Sequence, residues 1–353
     1  MILRRKLIYK FLFLCIIPAI SGKQLWSYYG WDLFQNQKDA KSLSLASSTI
    51  AYPMPFIGIQ LINPAIQYED SKVVSLTHQS HLGGLFNSEL LSFNLNRGEK
   101  KTIPISFLYQ SIGLIPDTRD ILLDWGEDGI FGTQDKGEGN GILDYDERLD
   151  ISKISYFSQN QFGFHISQNL KLHNFYVGAA AKILYKSILN NNGMGIGFDL
   201  GLYSNNKNFN YALTLKNVPV SLLIWNNGTI EITPLSYSFG FSKYFVVDNV
   251  KIIPLIALKG DLNNIYMDSY KLFNEIPVNI LSGVEIDYKN VIKIRYGINS
   301  FEDISGGLGV KYKNIIIDYS FLTISEISTL GNNHLFTIQI PVENILTLFK
   351  KIN

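Results

Sequence analysis

The densest set of side chains able to do chemistry lies between Pro116 and Asp150. Eleven Asp or Glu and three basic residues fall there, and eleven minus three leaves eight net negative charges over 35 positions. Within it, Asp124-x-Gly126-x-Asp128-Gly129, with Asp135 in twelfth place, overlays a calcium loop. Such loops put oxygen ligands at the first, third, fifth and twelfth positions and a glycine at the sixth for the sharp turn. Gly126 departs from the pattern, because it brings no side-chain oxygen to the third place. A second candidate, shifted along the chain, runs through Glu138, Asn140, Gly141, Asp144 and Glu147, but its first position is Lys136, a mismatch. Helical patterning flanks neither, which argues against an EF-hand. Carboxylates this dense repel one another. Calcium would neutralise and order them through Asp124, Asp128, Asp135, Glu138, Asn140, Asp144 and Glu147; without calcium the segment is a solvated acidic loop.

The histidines are His78, His81, His165, His173 and His334. His78 and His81 are three apart on a strand-like run, so they point to opposite faces, a poor geometry for a shared metal. A lipase built on a membrane barrel needs Ser and His facing outward at one depth. His78-Gln79-Ser80 has the residue types, but the sequence does not establish that arrangement. Gly-x-Ser-x-Gly, a Gly-Lys-Ser/Thr phosphate loop and His-Glu-x-x-His are absent. Cys15 is the single cysteine and leaves with the N-terminal segment, so the mature chain has no disulfide, thiolate metal site or cysteine nucleophile. The expectation is a protein that is not an enzyme.

The elements that must hold these residues begin after an export signal. Arg4, Arg5, Lys6 and Lys10 precede the apolar run Phe11–Ala19, and Ala19-Ile20-Ser21 supplies a small-x-small cleavage pattern. That run is about half what a membrane span requires. Leu14 before Cys15 argues against a lipoprotein. Residues 1–21 therefore read as a signal peptide. Removing four of 31 basic residues leaves 27 against 30 acids, with no basic excess to suggest nucleic acid. Residues 22–47 read as a periplasmic N-terminal segment whose aromatics (Trp26, Tyr28, Tyr29, Trp31, Phe34) either plug the lumen mouth or, as preferred, pack on the rim.

Residues 48–353 are expected to form the barrel, and from Val73 on the chain alternates. Ile292-Lys293-Ile294-Arg295-Tyr296-Gly297-Ile298-Asn299 and Met194-Gly195-Ile196-Gly197-Phe198-Asp199-Leu200-Gly201-Leu202 place apolar residues on one face and polar residues or Gly on the other. The 13 positions Ile276–Tyr288 keep this register unbroken, longer than an ordinary strand and sufficient for a tilted bilayer crossing. Fourteen such runs begin near Val73, Leu85, Thr102, Ile151, Phe175, Met194, Phe209, Thr233, Val250, Ile276, Ile292, Ser305, Ile315 and Leu335. The long links, Pro116–Asp150, Ser221–Glu231, Gly260–Glu275 and Ser325–Asn333, all follow odd-numbered strands, whereas even-to-odd links are tight turns. Short turns on one side and long loops on the other mark outer-membrane barrels. The predicted fold is all-β: a transmembrane antiparallel barrel of about fourteen strands in the cell outer membrane, with one long acidic extracellular loop at 116–150. Lys182, Asp199, Lys216, Glu285, Asp287, Lys293, Arg295 and Lys311 share the polar face and are expected to line the lumen and pair across strands.

With Asn63-Pro64-Ala65 ahead of a first strand at Val73-Val74-Ser75-Leu76-Thr77-His78, the chain resembles the PorV/PorQ branch of the long-chain fatty acid transporter superfamily over roughly residues 48–341. The stretch before Asn63, Ile50-Ala51-Tyr52-Pro53-Met54-Pro55, departs from the Gly- and Ala-rich pattern usual there. The resemblance implies a fourteen-stranded outer-membrane barrel. For function it implies either a part in type IX-like secretion, with exported cargo or machinery subunits as partners, or passage of hydrophobic molecules through the barrel wall.

Overall fold

A backbone that crosses a bilayer has to pair all its N–H and C=O groups internally, and strands do so only by closing into a ring. The computed structural model describes residues 30–345, except 37–38, 55, 67, 69, 71, 82–83, 97, 99–101, 146, 207–208, 262–269, 273–275, 301–302 and 324–331. The signal peptide, Trp26, Tyr28 and Tyr29 lie outside the described residues. Fourteen antiparallel strands form the wall: β1 (Val73–His81), β2 (Phe86–Asn96), β3 (Thr102–Asp117), β4 (Ser155–Leu172), β5 (Phe175–Ile188), β6 (Asn191–Asn205), β7 (Asn210–Trp225), β8 (Ile230–Ser242), β9 (Val250–Asp261), β10 (Ile276–Tyr288), β11 (Ile292–Asn299), β12 (Ile304–Tyr312), β13 (Ile315–Thr323) and β14 (Asn333–Pro341). Each pairs with its sequence neighbours, and β14 pairs with β1 to close the ring. The observed starts lie within four residues of those read from alternation; the largest offset is Ile151, where a short 3-10 turn (Ile151–Lys153) precedes β4.

The burial pattern is that of a membrane barrel. On β6, Met194, Ile196, Phe198, Leu200 and Leu202 are exposed, while Asp199 between them and Tyr203 just beyond are buried. The same inversion recurs around the ring, with outward rings such as Phe93, Phe107 and Phe164 forming a cross-strand row at centroid spacings of 6.2 and 5.2 Å. An apolar band outside and polar groups inside, on a closed ladder, is the arrangement of an outer-membrane barrel.

The link from β3 to β4 spans 118–154 and carries a two-residue ladder, Leu122–Leu123 with Arg148–Leu149. The predicted long link Ser221–Glu231 is corrected: β7 continues to Trp225, β8 starts at Ile230, and only 226–229 join them.

The N-terminal segment also differs from expectation. The described residues between 30 and 66 fill the lumen rather than resting on the rim, so the filling runs past residue 47, and the wall itself begins at Val73, where the first alternating run was read. The segment folds as α1 (Asp32–Asn36), α2 (Ala40–Ser44) and two 3-10 turns, Thr49–Ala51 and Ile59–Leu61. Asp39 caps α2 by accepting from the Ser42 N–H at 2.9 Å. Trp31, Leu33, Leu45, Tyr52, Ile57 and Ile59 are fully buried. Such close packing is possible because the facing wall positions carry no side chain: a Cβ at Gly178 would collide with the Pro64 backbone, and one at Gly297 with Leu45 and Ala46.

Gly178→Val is therefore expected to leave the barrel intact by heat-modifiable migration yet dislodge the plug, raising permeation of small hydrophilic solutes in proteoliposomes. A variant that folds fully and stays as closed as the parent would show that this contact does not seat the plug.

Candidate functional site

The lumen site is built where plug meets wall. Strand parity brings Glu285 on β10 opposite Arg295 on β11, and Asp318 on β13 lies one strand beyond β12. Arg295 donates from Nε to Glu285 Oε2 at 2.5 Å and from Nη1 to Asp318 Oδ1 at 2.7 Å, all three buried. One arginine fork thus holds two carboxylates, a geometry a lysine cannot supply. The plug joins through Tyr52, whose hydroxyl donates to Glu285 Oε1 at 2.6 Å. Lys41 on α2 lies over the rings of Phe56 and Tyr52, 4.5 and 5.5 Å from their centroids. On the other side of the barrel Lys182 pairs with Asp199 at 2.7 Å, donates to Asn217 Oδ1 at 2.9 Å and stands 5.4 Å over Trp31. Lys216 donates to the Leu61 carbonyl at 2.9 Å. Lys293 faces Asp287 at 3.8 Å. Lys182 with Asp199, Lys293 with Asp287, and Arg295 with Glu285 and Asp318 match the pairing expected of the lumen face, whereas Lys216 bonds the plug.

Asn63-Pro64-Ala65 acts as a clip. The Asn63 amide donates to the carbonyls of Ile50 in the plug and Leu202 in β6, each at 3.2 Å, and its Oδ1 accepts from the Ala65 N–H at 2.9 Å.

Against the plug lies a cavity of about 190 Å³. Trp31, Phe34, Leu43 and Leu61 from the plug and Leu90 and Leu281 from the wall give it an apolar side; Lys182, Lys216, Lys259, Asn217, Ser236 and Ser238 give it a polar one. It abuts the one place where β7 leaves register with both neighbours. Between the pairs Ile196–Leu222 and Leu200–Leu215, three residues of β6 face six of β7. Between Pro234–Val220 and Ser236–Lys216, one residue of β8 faces three. Asn217 fills the break: its N–H donates to Asp199 Oδ1 at 2.9 Å and its amide to the Pro234 carbonyl at 3.2 Å. Pro219 in the same bulge is exposed on the outside. A bulge of this kind ends ladder pairing locally and reshapes the wall.

The acidic loop residues are brought together, though mostly onto the loop's own backbone. Asp124 accepts from the N–H groups of Gly141 and Gly139 at 2.7 and 2.8 Å, which hold its carboxyl below the usual carboxylate range. Asp135 accepts from the Asp128 N–H at 2.8 Å, and Glu147 bridges the N–H groups of Gly126 and Asp144 at 3.1 and 3.0 Å. Glu138 accepts from the Gly132 and Gln134 N–H groups, and the Asn140 amide donates to Asp144 at 2.8 Å. Among the described residues no group of three or more His, Cys, Asp or Glu is arranged to hold a metal ion.

No family model matches the chain, and no curated protein matches it in sequence. Among solved structures it is similar to the toluene transporter TodX of Pseudomonas putida, at 10% identity over 86% of this chain and 96% of that one, with a TM-score of 0.46. It is similar also to Omp33 of Acinetobacter baumannii (7% identity, 77% and 100% covered, TM-score 0.38) and to the KdgM porin (9%, 76% and 97%, TM-score 0.33). These scores are low, and the assignment as an outer-membrane barrel stands on the chain's own closed ladder and inverted burial.

Arg295→Met would leave Glu285 and Asp318 buried without their counter-charge, and removing one partner of such a group costs about 3–5 kcal/mol. The expected result is a lower urea midpoint for the folded protein in detergent. An unchanged midpoint would show that the network is hydrated rather than buried.

Proposed function

We propose that the chain is an outer-membrane uptake barrel for small hydrophobic molecules, in which the plug closes the direct path and the cavity above it receives the solute. The single observation that carries this reading is that cavity, in which apolar side chains from plug and wall (Trp31, Phe34, Leu61, Leu90, Leu281) meet a few convergent polar groups such as Lys216 and Asn217. Ligand sites of this kind combine mostly apolar lining with a few convergent polar groups. The β7 bulge supports passage through the wall, because Ser236 and Asn217, whose two hydrogen bonds are what bridges the break, both line the cavity. The secretion reading has no comparable observation in its favour.

Filling the cavity tests this. Ser238 faces it from β8, and Ser238→Trp is expected to reduce uptake of a fluorescent hydrophobic solute by proteoliposomes about tenfold or more while the barrel still shows heat-modifiable migration. Equal uptake by the variant, the parent and empty liposomes would remove the uptake reading; co-isolation of exported proteins with the parent would then favour secretion.

For the acidic loop we propose calcium as counter-ion, supported by the eight net negative charges gathered in the 35 positions from Pro116 to Asp150. Trypsin cleavage after Lys136 is expected to slow severalfold when calcium is added and to recover with chelator. The same rate in both conditions would mean that the carboxylates are merely solvated.

A further inference from the structure

The outer face of a membrane strand meets lipid, and polar side chains there are costly unless they serve a purpose. On four neighbouring strands, β13, β14, β1 and β2, the outward positions nevertheless carry Tyr319, His334, His78, Ser80, Asn87 and Glu89. Parity places them outside: Ser75, Thr77 and Gln79 on β1, Ser88 and Leu90 on β2, and Asn333 and Leu335 on β14 are the buried, inward residues. The ladder sets them side by side. His78 is directly opposite Glu89, and Ser80 is opposite Asn87 on β2 and His334 on β14. Below this group the outward residues are apolar, with Leu76, Leu95 and Ile317 exposed. Above it the strands stop, since β1 ends at His81 and β2 and β14 begin at Phe86 and Asn333. The cluster therefore lies at the loop-side edge of the apolar band, the depth at which acyl ester groups of lipids reside.

An apolar band that simply ended here would call for polar residues, but not for this arrangement. His78 Nδ1 lies 2.7 Å from Glu89 Oε1, with both side chains about half exposed on the outer surface. A carboxylate bonded to Nδ1 fixes the tautomer of the ring and leaves Nε2 as the basic nitrogen, the role of the acid in a serine hydrolase. Ser80 stands two residues along on the same face, about 7 Å away by strand rise, a separation that imidazole and hydroxyl can close as a substrate settles between them. Asn87, across the ladder from Ser80, donates from Nδ2 to the Gly84 carbonyl at 3.4 Å and has a second amide N–H to offer at the level where an oxyanion would form.

We propose that Ser80, His78 and Glu89 form an acyl-hydrolase site facing the loop-side leaflet, with glycerophospholipid esters as substrate. Ser80 Oγ attacks the ester carbonyl carbon as His78 Nε2 takes its proton. The tetrahedral adduct collapses, the bond to the glycerol oxygen breaks, and that oxygen takes the proton from His78. Water then attacks the acyl-Ser80 ester, giving one proton to His78, which returns it to Ser80 Oγ as the fatty acid departs. Glu89 positions the ring. This activity uses the outside of the wall and is independent of the lumen reading.

The test uses the full-length protein folded in detergent micelles, with a fluorophosphonate probe and a thioester phospholipid analogue. The expected results are a covalent adduct on the Ser80 peptide and measurable thioester cleavage. Ser80→Ala should abolish both, His78→Asn should lower the rate about a hundredfold or more, and Glu89→Gln about tenfold or more with partial recovery in Glu89→Asp. His334→Asn should stay within about twofold of the parent. No adduct on the unmodified parent, which needs no variant to fold, would overturn the proposal. So would a Ser80→Ala rate equal to the parent's, or loss of activity in His334→Asn with His78→Asn unaffected.

Discussion

The closed ladder is the constraint from which the rest of the molecule follows. In hydrocarbon an unpaired backbone group costs several kcal/mol, so β14 must return to β1 and no edge can remain. Closure fixes parity at every position, because a slip of one residue would turn each lipid-facing side chain inward. This is why Met194, Ile196 and Phe198 stay outside and Asp199 inside over a single run of β6. It is also why the wall can tolerate only a local departure such as the β7 bulge, and why that departure is filled at once by Asn217, whose backbone and side chain replace the lost bonds.

A ring of fourteen strands encloses more space than its own inward side chains fill, particularly where glycine faces the lumen. The plug occupies that space, and its hold is chemically mixed. Wall glycines admit the backbone of Ala46 and Pro64 at close range, while buried ions answer the polar groups that the plug brings. The Glu285–Arg295–Asp318 group is costly to desolvate and its worth as stability is small against an apolar substitute. Its advantage is register: three charges on three strands, with Tyr52 bonded to one of them, admit one seating of the plug.

Much of this was legible in the sequence, for a physical reason. Period-two alternation is a local signal, so fourteen strand starts could be read one by one, and lumen pairs such as Glu285 with Arg295 follow once parity is known. The plug was not legible because its short helices and turns have no period of their own; Trp31 and Phe34 announce burial without saying against what. The Asn-Pro-Ala segment was visible as a motif, yet its work as a clip depends on the Leu202 carbonyl 139 residues away. Strand β7 was cut short for a definite reason. Its link to β8 was read as starting at Ser221, because the bulge around Pro219 breaks the alternation, whereas the strand resumes beyond it and runs to Trp225.

Parity also separates what inside and outside can do. Residues two apart on a strand share a face, whereas residues three apart do not, so His78 and Ser80 can act on one lipid while His78 and His81 cannot share a metal. In the sequence His78-Gln79-Ser80 is only a spacing, and nothing local tells whether that face meets lipid or lumen. The answer comes from its neighbours: buried Thr77 and Gln79 take the inward positions, and Glu89 is carried to His78 by the β1–β2 hairpin. The same wall can therefore present a cavity to the lumen and a polar cluster to the membrane, without either set of side chains constraining the other.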